Sequence, residues 1–164
     1  MIVALTGTPG TGKTAVSEQL DGFRTVDLGD FCRTRELGEQ REEFEVNIEE
    51  MREELEDYLE NEEKMVIEGH LSHHCPADYC IVLRCHPEEL RERLETRDYS
   101  REKIEENVEA EKLDSILIEA VENQENVIEV DTTGRDASEV AAEIRKKLEE
   151  GETGYGKVDW SGTI

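Results

Sequence analysis

Residues 2–14 read IVALTGTPGTGKT, a short apolar strand followed by a glycine-rich loop. The loop at residues 7–14, here called the phosphate loop, matches G-x-x-x-x-G-K-[ST] at Gly7, Gly12, Lys13 and Thr14. In this pattern the glycines let the backbone curl around phosphates, and the following helix offers free N–H groups. Lys13 is expected to reach the β- and γ-phosphates, and Thr14 to ligate Mg²⁺. The sequence therefore predicts a site for a nucleoside triphosphate with magnesium.

Strand-like and helix-like segments alternate after the phosphate loop. Apolar runs predict strands at residues 2–5, 25–28, 65–67, 79–84 and 127–130. Amphipathic spacing and capping residues predict helices at residues 13–20, 30–37, 44–60, 88–96, 100–122 and from 136 onward. This alternation favours a parallel sheet with right-handed crossovers, which binds ligands at the carboxyl ends of its strands. We expect one domain, residues 1–164, with no regular element in the tail from residue 151.

The composition predicts a strongly acidic surface. Asp and Glu number 43 against 19 Lys and Arg, which gives a formal net charge of -24. This charge disfavours non-specific nucleic-acid binding and is best tolerated in high salt, where ions screen the repulsion. We therefore expect a protein adapted to high salt. Since the chain starts directly with a strand and has no long apolar run, we also expect a cytoplasmic protein with neither signal peptide nor membrane span.

Cysteines and histidines cluster in the middle of the sequence and raise the question of a metal site. The residues concerned are Cys32, Cys75, Cys80, Cys85, His70, His73, His74 and His86. Their spacing matches no familiar zinc pattern, and residues 80–85 read as a strand whose side chains alternate between two faces. Reduced cysteines are the favoured interpretation, with structural zinc as the minor alternative.

The arginines indicate where the phosphoryl group goes, because its transfer requires cations around charged oxygens. The sequence has no N-K-x-D motif of a GTPase, and small chains with a phosphate loop are commonly kinases of small molecules. Arg33 and Arg35 follow the second strand, where they could hold an acceptor phosphate. Arg93 and Arg97 share a helix face and could close over the transferred group. The alternative is a solvated helix with ion pairs such as Glu89–Arg93.

Two further candidates follow the third strand in MVIEGH. Glu68 ends this strand, where a carboxylate could hold the magnesium ion or its water. His70 lies two residues later and could orient a water molecule or touch the acceptor. The alternative for both is an ordinary surface or loop residue.

Several stretches together resemble the adenylate kinase isoenzyme 6 family. They are GTPGTGKT, DLGDFCRTRE, MVIEGHLSH and ETRDYS followed by KIEENVEAE. The resemblance implies a P-loop NTPase fold of the nucleoside monophosphate kinase type, with a five-stranded parallel sheet flanked by helices. It also implies a nucleotide-monophosphate-binding insertion at about residues 30–60 and a short lid at about residues 96–108. Ordinary adenylate kinases carry D-G-[FY]-P-R where this chain has residues 68–72, EGHLS, so their arginine is absent here.

The resemblance also implies an activity and a set of site residues. The activity is ATP + AMP ⇌ 2 ADP with accompanying ATP hydrolysis and Mg²⁺ as cofactor. The ATP-binding residues would be Gly10, Gly12, Lys13, Thr14, Ala15 and Arg97. Arg33 would bind AMP, and Lys13, Arg97, His70 and Glu68 would serve catalysis.

Members of this family are linked to small-ribosomal-subunit maturation and rRNA processing, through a platform ribosomal protein. Two alternatives therefore stay open beside a plain adenylate kinase. One is a ribosome-assembly ATPase that releases a bound ribosomal protein and retains only residual kinase activity. The other is a kinase of another small acceptor such as shikimate, whose expected D-x-D and triple-glycine stretches are absent.

Overall fold

The computed structural model describes residues 1–163 and contains a five-stranded parallel sheet in the order β2-β5-β1-β6-β7. Its strands are β1 (Ile2–Gly7), β2 (Arg24–Asp27), β5 (Met65–Glu68), β6 (Tyr79–Arg84) and β7 (Val127–Asp131). A separate antiparallel hairpin consists of β3 (Gly38–Gln40) and β4 (Phe44–Val46). The predicted five-stranded parallel sheet is confirmed. Its strand order reverses next to β1, which places the phosphate loop at the point where such sheets bind ligands.

Seven α-helices cover the sheet within the described part of the chain. They are α1 (Lys13–Glu18), α2 (Leu28–Thr34), α3 (Ile48–Leu59), α4 (Pro87–Glu95), α5 (Arg101–Lys112), α6 (Ser115–Asn123) and α7 (Ala137–Glu150). Alternate residues of β1 face opposite layers: Val3 and Leu5 pack with α1 and α7, whereas Ala4 packs with α6. Helices α2 and α3 form a third cluster over β2 and β5. None of the helices described has the length and apolar character that crossing a bilayer demands.

The predicted helix at residues 44–60 is wrong at its start. Residues 44–46 form β4, and α3 begins only at Ile48. Asn47 caps this helix by accepting a hydrogen bond from the backbone N–H of Glu50 at 3.1 Å. The hairpin lies over the cluster of α2 and α3 through Phe44 and Val46. Tertiary packing of these few apolar side chains therefore outweighs the helical propensity of the surrounding glutamates.

The predicted single helix at residues 100–122 is interrupted. Ser100 caps α5 as expected, accepting from the N–H of Lys103 at 3.1 Å. Asp114, however, adopts a left-handed conformation with φ 56°, so the chain starts a new helix at Ser115. The Asp114 carboxylate accepts a hydrogen bond from Arg84, which fixes this break by a long-range contact. Leu117 and Ala120 then face the sheet from the second helix.

A buried ion network lies beneath the phosphate loop. The Arg84 side chain is 1% exposed and donates to Glu111 at 3.1 Å and to Glu129 at 2.8 Å. Glu111 also accepts from the backbone N–H of Cys85 at 2.9 Å. Burial raises the pKa of Glu111, while the Arg84 charge and these hydrogen bonds lower it. The paired charges thus connect β6 and β7 to α5 and to Asp114, where α5 gives way to α6.

The tail, expected to be irregular, runs beside β7 for a short distance. Gly154 exchanges two backbone hydrogen bonds of 2.9 Å with β7, through the carbonyl of Val127 and the N–H of Glu129. The Glu129 carboxylate accepts from the N–H groups of residues 156–158. A short 3₁₀ turn, Ser161–Thr163, follows.

All four cysteines are buried and free. Burial raises the pKa of Cys80 and of Cys85 to about 12, so both thiols stay protonated. The single group of three or more close metal-ligating side chains among the described residues consists of His73, His74 and Glu119 and contains no cysteine. The cysteines therefore do not belong to that group.

Candidate active site

The phosphate loop takes its shape from glycines that no other residue can replace without strain. Gly10 has φ +94°, and a Cβ at this position would lie 2.9 Å from side-chain carbons of Leu90 and Leu94. Gly12 has φ +103° and precedes α1 without a side-chain cap. The first N–H groups of α1 consequently keep their hydrogen-bonding capacity for a ligand. This arrangement fits the phosphates of a nucleotide.

The Lys13 ammonium folds back over the phosphate loop. Its Nζ donates to the carbonyl of Gly7 at 2.8 Å and to that of Thr8 at 3.2 Å. Loss of water around the ammonium lowers the pKa of Lys13 to about 8, although the negative charge of Glu68 opposes the shift. Lys13 is therefore mostly charged at neutral pH and is poised for anionic oxygens.

Oxygen ligands suited to magnesium meet beside Lys13. The Thr14 hydroxyl donates to Glu68 at 3.3 Å, and Glu68 itself is only 6% exposed. Asp27 on β2 lies opposite Glu68 on β5 in the sheet register. Burial, reinforced by the charge of Asp27, raises the pKa of Glu68. A hydroxyl and two carboxylates form a hard, anionic donor set that fits Mg²⁺, which would relieve the repulsion between the acids.

Arg33 and His70 come together around a cavity of about 80 Å³. Arg33 projects from α2 and pairs with Asp30 at 2.7 Å, where both side chains are exposed. The surrounding protein and the charge of Lys13 lower the pKa of His70 to about 4. The His70 side chain is nevertheless exposed to solvent. Both residues thus lie on the same side of the sheet, after the carboxyl ends of β2 and β5.

A cavity of about 550 Å³ opens on the other side of the phosphate loop. Four of the predicted ATP-binding residues line it, namely Gly10, Gly12, Ala15 and Arg97. Arg135 and Ala137, from the loop after β7 and the start of α7, complete the wall. Another cavity, about 670 Å³, lies by Tyr79 and Asn126 at the amino ends of the strands. Since parallel sheets bind ligands at the opposite edge, the cavity beside the phosphate loop is the stronger candidate.

Arg93 differs from its expected role as a cation over the transferred phosphate. Its Nη1 donates to the carbonyls of Gly10 and Thr11, both at 3.3 Å, and its Nη2 to the carbonyl of Thr132 at 3.1 Å. It also forms the i,i+4 pair with Glu89. The guanidinium is therefore a clasp that holds the phosphate loop against the loop after β7. Among the residues described, Arg97 has no comparable set of hydrogen bonds, and it lines the cavity.

Two residues that contribute to the site were not predicted from the sequence. Asp27 stands in DLGDF, where it caps α2 by accepting from the N–H of Asp30 at 3.1 Å, a role that hides its proximity to Glu68. Glu111 lies far along the chain in an acidic helix and still reaches the hydroxyl of Thr8 in the phosphate loop. A buried glutamate among many exposed ones carries no sequence signal.

Comparisons with known proteins agree with this geometry. A family model described as AAA domain matches residues 3–114. A protein named "Putative adenylate kinase" from Thermococcus gammatolerans is 48% identical, covering 98% of this chain and 93% of the relative. Its namesake from Methanosarcina acetivorans is 37% identical and covers 100% of both chains.

Solved structures support the fold. A deoxyadenosine kinase from M. mycoides with bound dATP aligns with a TM-score of 0.60 at 15% identity, covering 91% of this chain and 100% of that one. A shikimate kinase from Bacteroides thetaiotaomicron aligns with a TM-score of 0.61 at 17% identity, covering 91% and 98%. The fold is accordingly that of P-loop kinases. By its family model and its full-length relatives, the chain belongs to the AAA domain family and to the family of these archaeal proteins.

Proposed function

We propose that this protein is a nucleotide kinase of the adenylate kinase type, which transfers the γ-phosphoryl group of ATP to AMP with Mg²⁺. The observation that carries the proposal is the presence of two cavities, one lined by Arg97 and residues of the phosphate loop, the other by Arg33 and His70. The cavity with Arg97 would hold ATP, and the cavity with Arg33 and His70 would hold the acceptor phosphate. The names of the full-length relatives support the same activity. Within the family, the spacing of Glu68 and His70 favours the isoenzyme 6 group.

Each residue has a defined task in this proposal. Lys13 and the N–H groups of α1 hold the β- and γ-phosphates, while Thr14 and Glu68 hold Mg²⁺, which offsets negative charge on the phosphates. Arg97 approaches the transferring group from the donor side. Neutral His70 orients the acceptor or a competing water molecule, because its lowered pKa leaves a nitrogen lone pair available.

In this proposal one chain segment forms the AMP site and another forms the lid over the nucleotides. Residues 30–60, comprising most of α2, the hairpin and α3, would form the AMP-binding insertion. The pocket beside Arg33 has room for a phosphate-sized group, so the nucleoside would extend along the hairpin. Residues 96–108, the turn after α4 and the start of α5, would form the short lid. Since a short lid excludes water incompletely, we expect ATP hydrolysis to accompany transfer.

The decisive measurement is ADP formation from ATP, with and without AMP, in molar KCl with magnesium. A large AMP-dependent increase is expected. Arg33→Ala should abolish this increase and leave hydrolysis intact, whereas Lys13→Ala should abolish both. The matched control is Arg24→Ala, because Arg24 is also an exposed, ion-paired arginine but stands at the opposite end of β2. AMP-dependent activity that survives in Arg33→Ala would refute the assignment of the acceptor site.

A second candidate function is a ribosome-assembly ATPase that binds and releases a platform ribosomal protein. The net charge of -24 favours this candidate, since an acidic body can dock a basic ribosomal protein within a pre-ribosomal particle. Hydrolysis that is slow and indifferent to AMP would support it. The absence of a salt-tolerant complex with the cognate ribosomal protein would exclude it.

The same charge supports adaptation to high salt, and the four free cysteines support a cytoplasmic location. Both are testable on the purified protein and in cells. Unfolding in a KCl series should give a midpoint that rises with salt, and fractionation should place the protein with the cytoplasm. A midpoint that falls with salt would contradict the adaptation.

A further inference from the structure

Two histidines and a glutamate converge on the face of the sheet that carries α6. A 3₁₀ turn, Ser72–His74, presents both imidazoles to Glu119 of α6. The Nε2 atom of His73 lies 2.7 Å from Glu119 Oε2, and that of His74 lies 3.7 Å from the same oxygen. All three ligand atoms fall within 4.8 Å of one another. None of these residues has a task in the proposed phosphoryl transfer.

His73 is held as a metal-ligating histidine would be. Its side chain is fully buried, and its Nδ1 lies 2.8 Å from the hydroxyl of Thr6 on β1. In the metal-free ring Nε2–H donates to Glu119, and Nδ1 accepts from the Thr6 hydroxyl. A bound ion would take the Nε2 lone pair, with the ring proton then on Nδ1 and donated to the Thr6 hydroxyl. Such an outer contact on the second ring nitrogen characteristically orients metal-binding histidines.

The turn that carries the histidines is fixed as well. The side-chain amide of Gln124, just after α6, donates to the carbonyls of His73 and Cys75, both at 2.8 Å. The turn and the end of α6 therefore form one rigid unit. An ion bound between His73, His74 and Glu119 would meet ligands already close to their positions, which limits the entropy lost on binding.

We propose that His73, His74 and Glu119 form a binding site for a divalent transition-metal ion, with Zn²⁺ as the best match. Two imidazoles and one carboxylate suit Zn²⁺, whereas Mg²⁺ and Ca²⁺ prefer ligand sets made of oxygen alone. The site is thus chemically distinct from the oxygen ligands beside Lys13. Side-chain exposures of 21% for His74 and 48% for Glu119 give the ion a route from solvent and leave a fourth position for water.

A modest movement of Glu119 completes the coordination. Tetrahedral zinc with bonds of about 2.0 Å separates its ligand atoms by roughly 3.3 Å. The distance of 2.7 Å between His73 and Glu119 is shorter than this value, and the distance of 3.7 Å to His74 is longer. The half-exposed Glu119 side chain can shift to meet both. Binding would then tie α6 to the turn after β5 and raise the stability of the fold.

The test is metal binding by the full chain without nucleotide, after treatment with a chelator that is then removed. Zn²⁺ is titrated in competition with a chromogenic chelator, and Co²⁺ is used as a visible probe of coordination. We expect one ion per chain, absorption bands typical of four-coordinate Co²⁺, and a higher melting temperature with Zn²⁺. An excess of Mg²⁺ should leave the stoichiometry unchanged.

Variants at the two accessible ligands localise the ion. His74→Ala and Glu119→Gln should each weaken Zn²⁺ binding by at least about tenfold and abolish the thermal shift. Glu122→Gln, an exposed acid on the same helix, and His86→Ala, a histidine elsewhere, should bind Zn²⁺ as tightly as the unaltered protein. Circular dichroism confirms that each variant is folded.

Two outcomes would overturn the proposal. The first is no tight one-to-one binding, in which case the contact between His73 and Glu119 is a hydrogen bond only. The second is equal affinity in Glu119→Gln, in His74→Ala and in the controls, which would place the ion elsewhere on the acidic surface. Neither outcome depends on kinase activity, so the metal site and the proposed function can fail separately.

Discussion

The hydroxyl of Thr8, in the phosphate loop, donates a hydrogen bond of 3.0 Å to Oε1 of Glu111, whose carboxylate is also the partner of Arg84. Glu111 of α5, which is 103 positions from Thr8 in the sequence, thereby helps to hold the phosphate loop in place. The contact is buried at both ends. The position of the loop consequently depends on the integrity of the ion network.

Glu111→Gln is expected to lower the free energy of unfolding by about 2 kcal/mol, because the amide NH2 would replace a carboxylate oxygen that accepts buried hydrogen bonds, such as those from Arg84 and the Cys85 N–H. Urea unfolding followed by circular dichroism measures the change. Glu109→Gln, an exposed substitution on the same helix, is the control and should have little effect. Equal stability of both variants would show that the network contributes nothing at this position.

Arg93→Ala is expected to loosen the phosphate loop. The loss of the hydrogen bonds to Gly10, Thr11 and Thr132 should lower the free energy of unfolding by about 2 kcal/mol and raise the KM for ATP. Arg93→Lys should rescue little, since one ammonium cannot span the same carbonyls. Arg91→Ala on the same helix removes only a surface pair with Glu105 and provides the comparison. A full rescue by lysine would argue against the clasp.

The affinity for ATP should depend on pH through Lys13. Below its pKa of about 8 the free enzyme carries the charge, and above it the charge is lost. Because bound phosphates favour the protonated form, binding takes up a proton above pH 8, and affinity should fall by up to about tenfold for each further pH unit. Calorimetric titrations between neutral and alkaline pH measure this slope. In Lys13→Arg the side chain stays charged throughout this pH range, so the affinity for ATP should change little with pH. An unchanged slope in this variant would assign the titration to another group.

Glu68→Gln should slow phosphoryl transfer by roughly 100-fold while leaving nucleotide binding largely intact. The reason is that the amide keeps the hydrogen bond with Thr14 but supplies no negative charge to Mg²⁺. The half-saturating Mg²⁺ concentration should rise in parallel. Glu62→Gln, an acid just before β5 and outside the site, is the matched control. If the Mg²⁺ dependence of Glu68→Gln equals that of the control, Glu68 does not hold the ion.

The sheet and the phosphate loop could be predicted from sequence because their signals are local. Apolar runs such as residues 79–84 and the spacing of Gly7, Gly12 and Lys13 do not depend on distant contacts. The break at Asp114 is different, since a left-handed residue inside an amphipathic stretch is stabilised by Arg84, 30 positions away. The hairpin of β3 and β4 was missed because short, charged strands carry no alternating pattern.

For the site residues too, local patterns were predictable from the sequence and long-range contacts were not. The residue types expected around a phosphate were apparent, and the family resemblance favoured Arg97, but no local pattern indicated that Arg93 would bind backbone carbonyls. The two guanidiniums are four positions apart, and only the packing of α4 directs one of them into backbone carbonyls. The proximity of Asp27 and Glu68 likewise depends on strand order, which brings β2 beside β5 although residues 28–64 separate the two strands in the chain.

The tail beside β7 also affects whether separate copies of this protein associate. β7 is the outermost strand on its side of the sheet, and an uncovered outer strand is a template on which another polypeptide can add a strand. Gly154 fills part of that place from within the same chain, and the Glu129 carboxylate holds the following residues down. At crowded concentrations, and with the repulsion between acidic surfaces screened by salt, this self-capping would keep separate copies from joining edge to edge into fibres.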